Sequence, residues 1–328
     1  MTKRATLYQV AQYAGVSIAT ASRCFSNPEL VKPETVTRIR EAAAALNYKA
    51  PRLLERDLSM LRVAIFTRLF NHRGEMERLR GISNALRAWP HEMLFYDLDD
   101  SLSSIDYVKK LVVTKRVEGL IFVGVPIASE VATYLERFQM PTVLIENDDP
   151  RFSRVVSSDK KGSELVADFF NSSDALKILF VGDRPSSMDI NPGIRLKSFR
   201  DRLNRNKHEI IGELLIDPTS ATLQDDLLKV LKSKQRPNAV FADSDYLAAL
   251  VFKIATSLAL SIPKDLLIVG YGDTDLAQQM GISSVRTHLD ASGRRAIEIL
   301  RSIGIADPSE PIREVLTPEL IHRESTRK

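Results

Sequence analysis

The chain of 328 residues, 44% hydrophobic and 27% charged, has the composition of a soluble globular protein of two or three domains. It contains no run of about 18 apolar residues, and its N-terminus lacks the apolar segment and small-residue cleavage site of an export signal, so we expect a cytoplasmic protein. The single cysteine, Cys24, excludes an internal disulfide and a multi-cysteine metal site.

The positive charge is concentrated near the N-terminus. Residues 1–62 contain ten Lys and Arg against five acids, whereas the remaining residues contain 36 against 37. A basic segment on a nearly neutral body is typical of a module that binds nucleic-acid phosphates.

The segment TLYQVAQYAGVSIATASRCFSN, from Thr6 to Asn27, predicts two short helices joined at Gly15. Thr6 and Gln9 have the spacing of a capping box, and the first helix has an apolar stripe at positions 7, 10, 11 and 14. Ser17 can cap the second helix, whose buried stripe comprises Ala21, Cys24 and Phe25.

The outer face of the second helix carries a small polar and apolar set that fits base edges in the major groove: Ile18, Ala19, Ser22 and Arg23. A compact helical hairpin without DNA contacts is the alternative. Pro33, a favourable first helical residue, predicts a third helix that ends near Asn47. Its apolar residues are spaced to close a three-helix core: Val36, Ile39, Ala43 and Leu46.

The run VAQYAGVSIATASRCFSN, followed by VKPETVTRIREAAAALNY, resembles the DNA-binding headpiece of the lactose-repressor/galactose-repressor (LacI/GalR) family. The likeness includes the A-x-x-A-G-V-S turn, the A-T-x-S-R run at 19–23, the Asn27 that ends the second helix, and the E-T-x-x-R-I of the third. It implies a sequence-specific transcriptional regulator, typically a repressor, that binds a pseudo-palindromic operator as a homodimer under the control of a small-molecule effector.

The resemblance also implies a domain organisation: a helix-turn-helix headpiece at 1–48, a hinge or linker at 49–61, and an effector-binding and dimerisation domain at 62–328. The residues predicted to contact DNA are Thr6, Leu7, Ser17, Ile18, Ala19, Thr20, Ser22, Arg23, Asn27, Arg52 and Arg56.

The linker departs from the family, whose hinge helix wedges a leucine between base pairs in the minor groove. Here the wedge position falls on Asp57, and a carboxylate cannot act as an apolar wedge among phosphates. Leu58 lies one residue out of register and Leu54 one helical turn earlier, so a shifted helix is an alternative, while Arg52 and Arg56 could face the backbone. We expect a hinge that kinks DNA less than usual, with specificity resting more on the major groove.

After Arg62, short apolar runs alternate with amphipathic segments. Strands are predicted at 62–67, 93–98, 118–125, 141–146, 154–158, 177–182, 210–216, 238–242, 266–271 and 285–289. Helices are predicted near 75–88, 103–115, 129–138, 161–171, 193–205, 221–233, 245–258 and 290–303. Apolar strands that each precede a helix predict doubly wound parallel sheets, and the length favours two similar α/β halves.

The resemblance continues at Glu118-Gly119-Leu120-Ile121, at Asp159 followed by Gly162, and at IVGYGD (268–273). It implies a two-subdomain, periplasmic-binding-protein-like (type I) α/β effector domain with parallel sheets and a cleft between its halves.

Ligands of such sheets bind beyond the carboxyl ends of the strands. Three polar residues lie at or just after the ends of predicted strands: Glu146, Ser244 and Asp273. Arg195 opens the RLKSF segment, where the family has an effector-gripping R-x-x-G-F type segment. The alternatives are a surface salt bridge for Arg195 and helix capping for Glu146 and Ser244.

The effector site also departs from the family, because Gly272 replaces the first of two adjacent acids that grip effector hydroxyls. The loop at 68–74 instead brings Arg68, Phe70, His72 and Arg73 towards the predicted cleft, which raises the alternative of a charged effector such as a sugar phosphate. The residues predicted to bind the effector, a sugar or sugar derivative, are Arg68, Phe70, Arg73, Glu146, Arg195, Ser244 and Asp273.

Enzyme classes find little support. The sequence lacks G-x-x-x-x-G-K-S/T, H-E-x-x-H and G-x-S-x-G, its five histidines lack ligand spacing, and neither a cofactor nor a metal is predicted. The acidic run at 97–100 could bind a cation but is more typical of a solvated strand end. Two rivals remain: a small-molecule-binding protein without DNA function, disfavoured by the basic headpiece, and a nucleotide-dependent enzyme, which would need a phosphate loop.

Overall fold

The computed structural model describes residues 5–26, 31–46, 48, 60–68, 74–98, 104–114, 116–173, 175–184, 190, 193–203, 208–216, 222–306 and 310–327. The chain forms two compact units. The first, the N-terminal unit, comprises Met1–Ser59 together with Gly304–Asp307, and the second, the large unit, comprises Met60–Ile303 and Pro308–Lys328. None of the described helices is long and apolar enough to cross a membrane.

Three helices build the N-terminal unit: α1 (Leu7–Tyr13), α2 (Ile18–Ser26) and α3 (Pro33–Ala45). The predicted capping box is confirmed, since the Gln9 amide donates to Thr6 Oγ1 at 3.4 Å and the Thr6 amide donates to Gln9 Oε1 at 2.9 Å. Seven residues of the predicted stripes are buried, together with Ala42: Val10, Ala11, Ala14, Ala21, Cys24, Ile39 and Ala43. The other stripe residues are partly buried against them: Leu7, Phe25, Val36 and Leu46. The three helices therefore share one apolar core.

The turn between α1 and α2 depends on Gly15 and Ser17. Gly15 has a φ of +61°, which costs an L-residue with a side chain more than it costs glycine. The Ser17 hydroxyl accepts the Thr20 amide at 3.0 Å and so caps α2 as predicted. Together they fix the direction in which α2 leaves the turn.

Twelve strands form two sheets in the described part of the large unit. The first sheet contains β1 (Leu61–Thr67), β2 (His91–Asp97), β3 (Gly119–Val123), β4 (Thr142–Ile145), β5 (Ser153–Ser157) and β11 (Arg313–Leu316). The second contains β6 (Lys177–Asp183), β7 (Glu209–Ile216), β8 (Ala239–Ala242), β9 (Leu267–Gly272), β10 (Ser283–Arg286) and β12 (Glu319–Ile321).

The strand orders are β11-β5-β4-β3-β1-β2 and β12-β10-β9-β8-β6-β7. All neighbouring strands are parallel except the β10–β12 pair. Alternate residues of β1 face opposite sides of the sheet, so Val63 and Ile65 pack in one core and Ala64 and Phe66 in another. Each sheet is thus covered on both faces, as doubly wound sheets require.

The helices of the large unit are α4 (Glu75–Leu86), α5 (Ser104–Thr114), α6 (Ser129–Arg137), α7 (Asp159–Asn171), α8 (Ile194–Arg202), α9 (Leu223–Lys232), α10 (Asp245–Ser257), α11 (Asp275–Gln279) and α12 (Leu289–Ala306). Helix α7 packs on the second sheet, whereas α12 packs on the first, where Ala296, Ile297 and Leu300 join the core of β1 and β3.

The chain crosses between the two halves of the large unit three times. It leaves the first sheet between β5 and α7, returns between β10 and α12, and leaves again between β11 and β12. Two of these crossings touch, since the His288 ring lies 3.0 Å from the Thr317 carbonyl oxygen. The first crossing begins beside the third, since Ser157 of β5 pairs with Leu316 of β11. The three connections therefore lie together, where the carboxyl ends of the strands border the cleft between the halves.

Candidate DNA-binding face and effector cleft

Helix α2 presents an exposed face outside the three-helix core. Ile18 is 48% exposed and Arg23 is also exposed, whereas Ala21 and Cys24 are buried on the opposite side. Thr20 is half-buried and its hydroxyl lies 2.8 Å from that of Ser17. An apolar side chain and a guanidinium on one exposed helical face can contact a thymine methyl and guanine respectively.

The structure shows less about the other residues predicted to contact DNA. Thr6 is exposed and takes part in the capping box, and Leu7 is half-buried against the core. Ala19 and Ser22 lie within α2. Asn27, Arg52, Arg56 and the wedge position Asp57 lie outside the described residues, so the predictions for the linker remain predictions.

The first wall of the cleft is a buried ion-pair cluster at the carboxyl ends of β4 and β5. Arg78 of α4 donates to Glu75 Oε1 at 3.2 Å and to Glu146 Oε1 at 3.0 Å. Glu146, which follows β4, also accepts the Ser157 amide at 3.1 Å. One guanidinium thus joins a helix to a strand end through two carboxylates.

Within this cluster Glu75 is the most enclosed acid, with an exposure of 4%. It lies against Gly124, the residue after β3, where an added Cβ would come within 3.1 Å of Glu75 Oε1. Burial raises the pKa of Glu75, although the Arg78 charge opposes that shift. Neither Glu75 Oε2 nor Arg78 Nε has a hydrogen-bond partner within the part of the chain that the structure describes.

The second wall of the cleft is centred on Arg195 of α8. It donates to Asp159 Oδ1 at 3.0 Å and to the Asp243 carbonyl oxygen at 2.6 Å, and its guanidinium lies 4.1 Å from the centre of the Tyr271 ring. The Tyr271 hydroxyl donates to the same Asp159 oxygen at 2.9 Å. Residue 162 must be glycine for this contact, because an added Cβ would lie 2.4 Å from the Tyr271 hydroxyl.

The two walls share one electrostatic environment. The positive charge of Arg195 acts on Arg78, and the negative charge of Glu146 acts on the Tyr271 phenol. Burial, together with Asp159, raises the pKa of Tyr271 well above its usual value, so the phenol stays protonated and donates. The two walls therefore lie close enough for the charges of one to act on the other.

The remaining predicted effector residues fall into three groups. Arg68 lies near enough to Glu75 for its charge to lower the pKa of that carboxyl, although burial and the other charges leave it raised overall. Ser244 is buried and caps α10 by accepting the Leu247 amide at 3.5 Å. The side chain of Asp273 is 2% exposed and its carboxylate accepts from Arg286 at 2.7 Å and from Arg323. Phe70 and Arg73 lie outside the described residues.

The structure thus brings Arg68, Glu146 and Arg195 to the cleft, and it surrounds them with residues that the sequence did not single out as effector contacts: Glu75, Arg78, Asp159, Asp243 and Tyr271. The acidic run at 97–100 is described only as far as Leu98. Among the described residues, no group of three or more His, Cys, Asp or Glu could hold a metal ion.

Two surface grooves lie away from this cleft. One, of about 340 Å³, lies between α7 and α8, where its charged side chains pair on the surface, as Lys197 does with Asp201 at 2.7 Å. The other, of about 380 Å³, lies beside α5 and includes Tyr96 and Tyr107. Neither is lined by the residues of the two walls.

Comparison with protein families gives two matches. Residues 6–50 match the family described as bacterial regulatory proteins, lacI family. Residues 167–326 match the periplasmic binding protein-like domain. The first match covers the three helices of the N-terminal unit, and the second covers all six strands of the second sheet and the return of the chain to the first.

Similar proteins span the whole chain. The catabolite control protein A of Staphylococcus xylosus is 25% identical over 336 residues, which cover 98% of this chain and 99% of that protein. Two solved structures share the fold. The transcriptional regulator CelR–cellobiose complex has a TM-score of 0.64 at 21% identity, covering 98% of this chain and 100% of that one. The lac repressor dimer bound to operator and the anti-inducer ONPF has a TM-score of 0.68 at 20% identity, covering 99% and 100%.

Proposed function

The chain belongs to the LacI family of bacterial regulatory proteins, and from this premise we propose that it is a transcriptional repressor whose affinity for an operator is set by a small molecule in the cleft. It acts as a homodimer on a pseudo-palindromic site, in the cytoplasm, where the DNA is. Its working parts are a headpiece at 1–48, a hinge at 49–61 and an effector-binding and dimerisation domain at 62–328.

One observation carries this proposal: a single chain joins an exposed recognition helix to a hinged two-sheet unit. The exposed Ile18 and Arg23 of α2 supply base contacts, and the basic charge of the first 62 residues supplies phosphate contacts. The three crossings of the large unit allow its halves to adopt two arrangements. An effector that prefers one arrangement, while operator DNA prefers the other, couples the two sites.

The effector is a carbohydrate or carbohydrate derivative. This assignment is supported by the similarity of the chain to a regulator solved with cellobiose and to the lac repressor solved with an anti-inducer. The hydrogen-bonding side chains of the two walls fit a ligand with many hydroxyl groups, and the ligand contacts we propose are Arg68, Phe70, Arg73, Glu146, Arg195, Ser244 and Asp273.

The test is a DNA-binding titration. An operator is selected from a random duplex pool with the full chain, and the affinities for that operator and for random DNA are compared at several salt concentrations. We expect Arg23→Ala to cost about 1–3 kcal/mol on the operator and little on random DNA, because a base contact confers specificity.

Arg40→Ala is the matched control, since Arg40 is an exposed arginine of α3 in the same unit. Loss of a phosphate contact there would weaken both DNAs alike. Equal losses on operator and random DNA with Arg23→Ala would reject the base-reading role of α2.

A further inference from the structure

Among the described residues, the cleft has more carboxylates than arginines, and one enclosed carboxylate oxygen, Glu75 Oε2, has no hydrogen-bond donor. We propose that the effector carries a protonated amine on a polyhydroxylated scaffold, so that the site prefers a cationic ligand to its neutral analogue and rejects an anionic one. This inference rests on the proposed function and names the ligand class of the same cleft.

Glu75 has only one of its two carboxylate oxygens hydrogen-bonded within the described part of the chain. Its side chain is 5% exposed, and Arg78 occupies only Oε1, leaving Oε2 without a partner among the described residues. A buried acceptor without a donor costs free energy. Protonating Glu75 would not remove the cost, since the new O–H would need an acceptor in the same place. A donor supplied from outside the protein would satisfy this oxygen.

The charges around the two walls are also unequal. Among the described residues whose charges act most strongly there, five are acids and three are arginines: Glu75, Glu77, Glu146, Asp159 and Asp243, against Arg68, Arg78 and Arg195. In a partly dry cleft an unbalanced negative charge is costly. A ligand with a positive charge lowers that cost, whereas an anion raises it.

Each wall arginine already donates to two acceptors of the protein, although Arg78 Nε has no partner among the described residues. Arg78 is shared between Glu75 and Glu146, at 3.2 and 3.0 Å. Arg195 is held by Asp159 and by the Asp243 carbonyl oxygen, with its guanidinium lying over Tyr271. A phosphate or carboxylate would have to break these pairs and then lie beside the released acids. The two wall arginines therefore favour a cationic ligand over an anionic one, whereas Arg73 of the loop at 69–73 lies outside the described residues.

An ammonium group suits Glu75 Oε2 better than a hydroxyl does. It has three donors and a full positive charge, so it can satisfy Glu75 Oε2 while also neutralising one carboxylate. Glu146, whose side chain is 19% exposed, offers the more accessible second acceptor in the same cluster. The rest of the scaffold then lies towards Arg195 and Tyr271 on the other wall.

The test uses the full chain and two matched series in calorimetric titration and thermal shift. One series is glucose, glucosamine and glucuronate, and the other is cellobiose, the glucosamine disaccharide and cellobionate. We expect at least one amine to bind at least about tenfold more tightly than its neutral partner, and both acids to leave the protein unshifted. Tighter or equal binding of a neutral sugar, binding of an acid, or no shift with either amine would overturn the inference.

Glu75→Gln adds a second readout, because a carboxamide keeps the shape and removes the charge. We expect the preference for the amine over the neutral sugar to fall to near one in this variant. The control, Glu130→Gln, removes a carboxylate of α6 that is 70% exposed and pairs with Lys109. An unchanged preference in Glu75→Gln would overturn the role of Glu75. Operator affinity measured on the same proteins without ligand tests the proposed function separately.

Discussion

Replacing Arg78 with methionine removes a buried guanidinium while keeping most of the aliphatic length of the side chain. The arginine side chain is 9% exposed and pairs with Glu75 at 3.2 Å and Glu146 at 3.0 Å. Breaking a buried ion pair from one side costs about 3–5 kcal/mol, because the remaining charge is buried without its partner. Glu146 keeps the Ser157 amide, so most of the loss comes from Glu75.

In a unit of this size, a loss of 1 kcal/mol in the free energy of unfolding lowers the Tm by about 2–4 °C. We therefore expect Arg78→Met to lower the Tm by about 6–20 °C in scanning calorimetry at pH 7. Arg80→Met is the matched control on the same helix. Arg80 is 49% exposed and pairs with Asp275 at 2.7 Å, so its removal should cost less than about 1 kcal/mol.

A third protein combines Arg78→Met with Glu75→Gln. It should recover part of the lost Tm, because one of the two carboxylates left without Arg78 is then neutral. Equal falls in Tm for Arg78→Met and Arg80→Met, or no recovery in the double variant, would show that the cluster does not hold the buried charge inferred for it.

Three other changes test the walls and the edge of the large unit. Arg195→Ala should abolish the thermal shift caused by a bound sugar while leaving a cooperative transition, and a retained shift would assign Arg195 a structural role. Gly162→Ala should cost about 1–3 kcal/mol by overpacking against Tyr271, and in calorimetry the cost should shrink in a Tyr271→Phe background, which lacks the hydroxyl. The Arg313 guanidinium lowers the pKa of Asp148 from 3.8 to about 2, so the pair stabilises the fold above pH 3.8 and this contribution is lost as the pH falls towards 2. The difference in Tm between the native chain and Asp148→Asn should therefore vanish in that range, and a constant difference would contradict the linkage.

Most of the fold could be predicted from local pattern. Every strand and helix predicted after Arg62 is present, although the strand predicted at 285–289 lies at Ser283–Arg286. Three elements were missed: α11, β11 and β12. They have five, four and three residues, too few for a hydrophobic period to show. They form through contacts with distant parts of the chain, as when β11 pairs with β5 and β12 with β10.

The ion-pair cluster could not be predicted in this way. Glu75 and Arg78 are three residues apart on a helix, a spacing that usually marks a solvated surface pair. They are buried in the fold of the large unit, where α12, which is more than 200 residues further along the chain, crosses α4. The crossing is close because both helices have a glycine there: an added Cβ at Gly81 would lie 2.0 Å from the Asp290 carbonyl oxygen, and one at Gly293 would lie 2.1 Å from that of Arg78.

The three crossings of the large unit also set an order in which the chain can fold during synthesis. The first sheet begins at residue 61 but is completed by α12 and β11, which lie within residues 289–316. Strands β1 to β5 therefore leave the ribosome long before the helix that covers one face of their core. The second sheet lacks only β12 once β10 has been made, and the three helices of the N-terminal unit end at Ala45. The first sheet is completed by β11 and the second by β12, so translation delivers the three DNA-reading helices first and completes both sheets last. A polypeptide released before residue 289 would carry these helices without the Gly304–Asp307 segment of their unit, on a body that lacks α12 and β11 and cannot close around an effector.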